Sequence, residues 1–432
     1  MKFPFKKNSR NSDKENDSED NNINGFFSKI GDFFNPEPQK EKVLRHEDFN
    51  RAGDVYYATV SASYKISQRI FVLLLVIFLI FSLITNFREI TYENFFYLLK
   101  DFSAAVDTED SVYDTLSYDS NTRHFFCLYR GGLAVVNPSN ISVFTATGRQ
   151  TLKSTSKFSS PCVVSSDKYF IIYDTSGTTF SVYNSFSRIY NETLDYPVTN
   201  AAFDDNGNML IITKDTSHKS IVYLYDKNFK RVAMIPYSEY AFDVAINGEY
   251  DKMAVSYYGI GNGSGRTEIV ARTLSNIKEE FATISVDGEF LLDSGFIADE
   301  RFAIITDRSI KIYDKYFEEI EAFEYNNALV SGYEISEQGI AVSYTENSQN
   351  IAIVFDKSGN LLYNEVINDN IKDIGIFDDN VFLRTDTGVK RINVKTHKED
   401  FLVSGQGKML IYSADTVLVC GDSKAEYLVF DD

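Results

Sequence analysis

Tryptophan is absent from this chain of 432 residues, and there are only four histidines, three cysteines and seven prolines. Each scarcity closes a class of function. His46 precedes the longest apolar run, and His124, His218 and His397 are scattered beyond it, never spaced as a metal-binding pair. No HExxH, CxxC, GxSxG or Walker-type phosphate loop occurs. Neither a cofactor nor a resident metal nor an enzymatic activity is expected. Cys127, Cys162 and Cys420 are too few and too dispersed for a disulfide framework. They leave two alternatives, one bridge with a thiol over or three thiols in apolar strands. Asn, Ile, Lys, Tyr and Phe are abundant, as in the products of AT-rich bacterial genomes.

One long apolar run is present. Ile70 to Phe87 contains no charge and is closed by Arg69 and Arg88. At 1.5 Å per residue its eighteen residues reach about 27 Å, enough to cross a hydrocarbon core. The apolar residues do not keep to one face, as they would on a surface helix. A transmembrane helix is expected over residues 65–88. Lys40, Lys42, Arg45, Arg51, Lys65 and Arg69 lie before it, and only Arg88 and Lys100 over a similar distance after it. Cations are retained on the cytoplasmic side, so the N-terminus is expected inside and the C-terminal part outside. No small-residue cleavage site follows, which makes the segment an uncleaved signal-anchor in the plasma membrane.

The net charge of −19 is unevenly placed. Residues 1–68 balance, whereas 89–432 carry 30 basic against 51 acidic residues. Such an acidic domain repels phosphate backbones and excludes nucleic acid as a partner.

Residues 1–64 read as a mostly disordered cytoplasmic tail, too polar over Met1–Asn22 to fold. Within it Ile23, Phe26, Phe27, Ile30, Phe33 and Phe34 follow helical spacing and stop at Pro36. That short face calls for a membrane surface or a groove on another protein; the alternative is a nascent helix weakened by Gly25 and Gly31. Residues 39–69 read as a charged, partly extended segment, and 89–104 as a connector.

From residue 105 onward the pattern changes to short runs of Val, Ile, Tyr and Phe punctuated by Asp, Asn, Gly and Ser. The clearest unit, Val198 to Tyr237, divides into four strands, VTNAAF, NMLIITK, SIVYLYD and RVAMIPY, joined by turns such as DDNGN. Its features recur. An Asx-x-small-apolar start appears at Asn200, Asp243, Asp293 and Asp373, with Ser331 in the corresponding place. An aromatic-Asp pair closes the third strand at Tyr225-Asp226, Tyr313-Asp314 and Phe355-Asp356. A period near forty with four strands per unit predicts an all-β propeller over 105–432, of eight or alternatively seven blades. The last repeat has only three strands. The ring closes if Phe96–Ala104 or the run near Ser111–Thr115 supplies the fourth, against Glu426–Phe430.

VTNAAFDDNGN…SIVYLYD resembles a WD40 or YVTN-type blade, with its inner strand, Asp-Gly turn and closing aromatic-Asp pair. Tyr or Phe stands where WD40 repeats carry Trp, and their Gly-His pair is missing. The resemblance therefore implies the fold and no activity. The layout as a whole is similar to single-pass membrane propeller proteins of Gram-positive bacteria.

Two further stretches invite a chemical reading. Asp204-Asp-Asn-Gly-Asn208 with Asp215 looks like a calcium loop, but the glycine is misplaced and no bidentate Glu ends it, so a hairpin turn is expected. The glycine-rich run Gly259–Gly265 joins two strands and is expected as a long hairpin loop. What remains is the row Asn200, Asp243, Asp293 and Asp373, a candidate binding ring at the channel mouth, or else four caps within their own blades. The sequence thus predicts a membrane-anchored interaction or scaffold protein binding a protein or a cell-envelope component. The alternative is a small-ligand receptor or enzyme that uses the channel mouth.

Overall fold

The computed structural model describes residues 52–85, 115–119, 123–261, 264–298, 300–325 and 328–431. The chain divides into two compact units, Met1–Ile90 and Thr91–Asp432. The expected amphipathic face from Ile23 to Phe34, Arg88 and the segment Phe96–Ala104 lie outside the described residues.

The first unit contributes one helix, Ala52–Thr85. It begins well before the expected boundary at residue 65, so the stretch from Ala52 is helical rather than extended. Its helical part contains no proline, which would break the hydrogen-bond ladder. The described side chains from Ile70 to Phe81 are all exposed, from 39% at Leu73 to 68% at Phe81. Among the described residues no helix is long and apolar enough to cross a membrane.

The second unit is eight four-stranded antiparallel sheets. Blades 1 to 7 follow the chain in order, over 125–155, 161–193, 198–237, 240–287, 291–324, 329–367 and 373–403. Blade 3 has its strands at Val198–Phe203, Met209–Asp215, Lys219–Tyr225 and Arg231–Tyr237, where the sequence pattern puts them. The middle strands of each blade are buried on both faces and read as continuous apolar runs, such as FIIY over Phe170–Tyr173. The outer strands alternate, as in Arg231–Tyr237.

Eight buried clusters hold the ring, each shared by two neighbouring blades. Between blades 2 and 3, Phe180 meets Tyr225 edge-on with ring centroids 5.6 Å apart. No blade can bury both its faces alone, so the cores belong to interfaces rather than to blades.

Closure takes the expected form with a shifted register. Blade 8 uses Lys408–Ile411, Thr416–Cys420 and Lys424–Val429, and its outer strand is Thr115–Ser117. Thr115 pairs with Glu426, Leu116 with Ala425 and Ser117 with Lys424. Leu116 is buried in the cluster joining blades 8 and 1, beside Phe126, Cys420 and Tyr427. The Tyr118 hydroxyl donates to the Gly421 carbonyl at 2.7 Å. Eight blades, not seven, complete the ring.

Two loop expectations change. The glycine-rich run is not a long loop: the strands Lys252–Gly261 and Ser264–Thr273 continue through it until Gly261 pairs with Ser264. The three cysteines are free, with Cys127 and Cys420 buried and Cys162 half-buried. Burial pushes the thiols of Cys127 and Cys420 up to about 12.

Candidate functional site

The inner strands face the axis, and the register of each shows which residues share a height. In blades 3, 4 and 5 a bulge falls just before Asn200, Asp243 and Asp293, and these pair with Ile212, Ser256 and Ile305. In blade 6 the bulge swallows Ser331, and Gly332 takes the matching place. Ser331 therefore does not belong to the row. Asp373 opens the inner strand of blade 7, opposite Arg384.

The row is tied sideways as well as within blades. The Asn200 side-chain amide donates to the Phe242 carbonyl at 3.0 Å and to Asp243 Oδ1 at 3.2 Å, both on the next blade. The Ser294 hydroxyl of blade 5 donates to Asp243 Oδ2 at 2.5 Å. The Met409 amide of blade 8 donates to Asp373 Oδ2 at 3.3 Å. Within blades, the amides of Ala201, Ser294 and Ile374 donate to Asn200, Asp293 and Asp373. The capping alternative thus describes part of what these side chains do, and they also stitch neighbouring blades together.

Asp293 is held less completely. Besides the Ser294 amide it meets like charge. Burial, and then the Asp243 carboxylate beside it, push its pKa up to about 7. A fourth carboxyl, invisible to the repeat pattern, joins the group. Glu334 lies two residues beyond Gly332 on the inner strand of blade 6. It reaches over blade 7, where a Cβ at Gly375 would collide with its carboxylate. Its Oε2 is buried without a hydrogen-bond partner. Burial, and then Asp373, raise Glu334 to about 7 as well. The sequence signal that could have found it is Gly375, small where its neighbour needs room.

Two cavities occupy this part of the axis. One of about 450 Å³ is lined by Asn200, Asp243 and Asp293 and opens toward Asp204, Asp205 and Glu337. The other, about 460 Å³, is lined by Asp293, Glu334, Asp373, Tyr333 and Lys408. Among the described residues no three His, Cys, Asp or Glu side chains are placed to hold a metal ion. The calcium-loop resemblance also dissolves. Asp204 Oδ1 accepts from the Asn208 amide at 2.7 Å to shape one turn. Asp215 caps a different turn at the far end of the seven-residue strand Met209–Asp215, about 20 Å away.

A second feature lies at the end of the ring where inner strands begin. The Phe290 ring stacks on Phe242 with centroids 5.9 Å apart and lies 5.8 Å from Tyr258. Tyr240, Ile260, Phe290 and Leu329 are exposed, Ile260 at 86%. Tyr240 pairs directly with Tyr258, which puts these residues at one end of blades 4 to 6. Next to them a cavity of about 670 Å³ is lined by Tyr196, Pro197, Tyr240 and Phe242.

Several solved structures share this ring. Sqt1 of Saccharomyces cerevisiae is 10% identical, with a TM-score of 0.55 over 74% of this chain and 98% of that one. The C-terminal WD40 domain of Sif2 is 10% identical, with a TM-score of 0.51 over 73% and 99%. BamB from Moraxella catarrhalis is 9% identical, with a TM-score of 0.48 over 74% and 99%. At these identities the likeness to Sqt1 and Sif2 shows the fold alone. No curated protein matches the chain in sequence. Residues 106–418, nearly the whole ring, match one protein family.

Proposed function

We propose, from the premise that the chain belongs to the family of unknown function (DUF5711), that it is a membrane-anchored interaction protein whose propeller binds a protein or cell-envelope partner. The observation that carries the interaction is the aromatic and aliphatic surface of Tyr240, Tyr258, Ile260, Phe290 and Leu329. Tyr258 and Phe290 touch, Tyr240 pairs with Tyr258, and Ile260 and Leu329 are exposed at the same end of the ring; clustered exposed apolar side chains mark interaction surfaces. Aromatic side chains are also the residues that dominate binding energy at interfaces.

Anchoring rests on the helix Ala52–Thr85, whose described apolar side chains are exposed from Ile70 to Phe81. A helix apolar all round needs a non-aqueous setting. The sequence continues the uncharged run to Phe87, to the length a bilayer requires. The excess of Lys and Arg before it puts the tail inside and the propeller outside.

The test is site-specific photo-crosslinking in native membranes. A crosslinking residue at Ile260 or Phe290 should give a discrete adduct. The same residue at Lys395, on a turn between outer strands, should give none. Equal labelling from both positions, or none from either, would remove the surface as a binding site.

A further inference from the structure

We propose that the central channel binds an extended organic cation carrying alkylammonium groups, one end against Asp243 and Asp293 and the other against Glu334 and Asp373. This goes beyond the interaction reading and does not rest on it, since the channel and the exposed aromatic surface are separate features.

Three observations point the same way. The two axial cavities, about 450 and 460 Å³, share Asp293 as a common lining residue, so they offer a chain-like ligand two successive carboxylate stations. Each is of the size that small-molecule sites occupy. Independently, Glu334 lines the second cavity, and although the Ile376 amide bears on its carboxylate, its Oε2 has no hydrogen-bond partner. A buried acceptor left unmade costs free energy that a donor ligand would restore. Third, the carboxylates are spread over four blades rather than converging, and no three are placed for a metal ion among the described residues. A calcium ion needs six or more oxygens at about 2.3–2.6 Å, whereas an ammonium needs only one or two carboxylates at hydrogen-bond distance.

The chain's own cations do not neutralise the group. Lys408 of blade 8 lines the second cavity and is exposed, and Arg384 faces Asp373 from the neighbouring strand. Both charges ease Asp373 and Lys408 eases Glu334, but neither reaches Asp293, and Asp293 and Glu334 remain near 7. The groups that bear on Asp293 are Asp243, Glu334 and the Ser294 amide, and on Glu334 they are Asp373, Lys408 and the Ile376 amide. An arriving ammonium favours the ionised carboxylates, so binding should release protons and tighten as pH rises from 6 to 8.

The alkylammonium has two conceivable sources, a free polyamine or a lysine side chain of a peptide, and the experiment separates them. Melting of the purified full-length chain is measured at pH 8 with spermidine, with a lysine-containing peptide, with the same peptide acetylated on lysine, and with NaCl at matched ionic strength. Calorimetric titration in two buffers of different ionisation enthalpy reads proton release directly. The expected result is a rise in melting temperature with spermidine or the unmodified peptide, beyond that with NaCl or the acetylated peptide, accompanied by proton release. Spermidine alone acting identifies the free amine, and the peptide acting identifies the side chain. Glu334→Gln with Asp293→Asn should weaken binding at least tenfold. No rise over matched salt with either ligand, undiminished binding in the double variant, or binding without proton release in the unaltered chain would each overturn the proposal.

Discussion

Asp293 and Glu334 keep protons in the folded ring that they lose in the unfolded chain, because both sit near 7 instead of in the usual carboxylate range. Between about pH 4.5 and 7 the folded state binds more protons, so stability falls as pH rises through that window and levels off above it. Asp243 and Asp373, also raised by burial, act in the same direction. Carboxyls held low, such as Asp226 by its turn amides and Asp400 by Arg391, act only at lower pH. The melting temperature should therefore drop between pH 5.5 and 8. Asp293→Asn with Glu334→Gln should flatten that slope and stabilise the chain at pH 8 by about 2 kcal/mol or more. Steeper loss in the double variant than in the unaltered chain would show that the carboxyls are not strained by burial. The closing aromatic-Asp pairs were legible in the sequence for a reason that operates at this scale. Asp226, Asp314 and Asp356 each accept two turn amides, in Asp356 from Ser358 and Asn360 at 2.8 Å. The same turns put Phe229, Phe317 and Gly359 at positive φ. Asp356→Ala should cost about 1–2 kcal/mol by denaturant unfolding, and an unchanged midpoint would deny the cap its role. Glu334 was not legible, because its importance comes from a carboxylate crossing to another blade, which no within-repeat pattern records.

Among the elements, the three-residue strand Thr115–Ser117 carries a disproportionate duty. It completes blade 8 and, through Leu116, seals the interface between the last blade and the first. The sequence showed that an outer strand was missing and roughly where its source lay, since the last repeat ends one strand short. It did not show the register, because TLS has little hydrophobic patterning of its own and Ala425 and Tyr427 choose the partner. Leu116→Asp should lower the melting temperature of the whole propeller in one cooperative step, as should deletion of Lys424–Asp432. A cooperative melt unchanged in both variants would mean that the ring does not depend on this closure. The bulges before Asn200, Asp243 and Asp293 were likewise beyond sequence reasoning: Thr199, Phe242 and Leu292 share no residue type, and the one-residue slip they introduce is what moved the blade 6 position from Ser331 to Gly332.

At the scale of the whole molecule, the helix and the ring make opposite demands on their surroundings. The ring is strongly acidic and the helix exposes only apolar side chains over Ile70–Phe81. If the flanking cations set the orientation as proposed, protease added to cells stripped of their wall should digest residues 105–432 and spare the tail. Survival of the propeller with loss of the tail would reverse the topology.

The closure strand also imposes a schedule. Thr115 leaves the ribosome long before Glu426, its partner 311 positions later. At roughly 5–20 residues per second that interval is on the order of tens of seconds. Near its end, once Val403 has been made, blades 1 to 7 have all their strands while blade 8 is still incomplete. The buried faces of Phe126, Leu133 and Val135, destined for Leu418 and Tyr427, meanwhile have nothing to pack against. Synthesis of this ring is thus a race in which an early strand must remain unclaimed until the last blade arrives, and anything that slows translation near the end lengthens the time that apolar edge stands open.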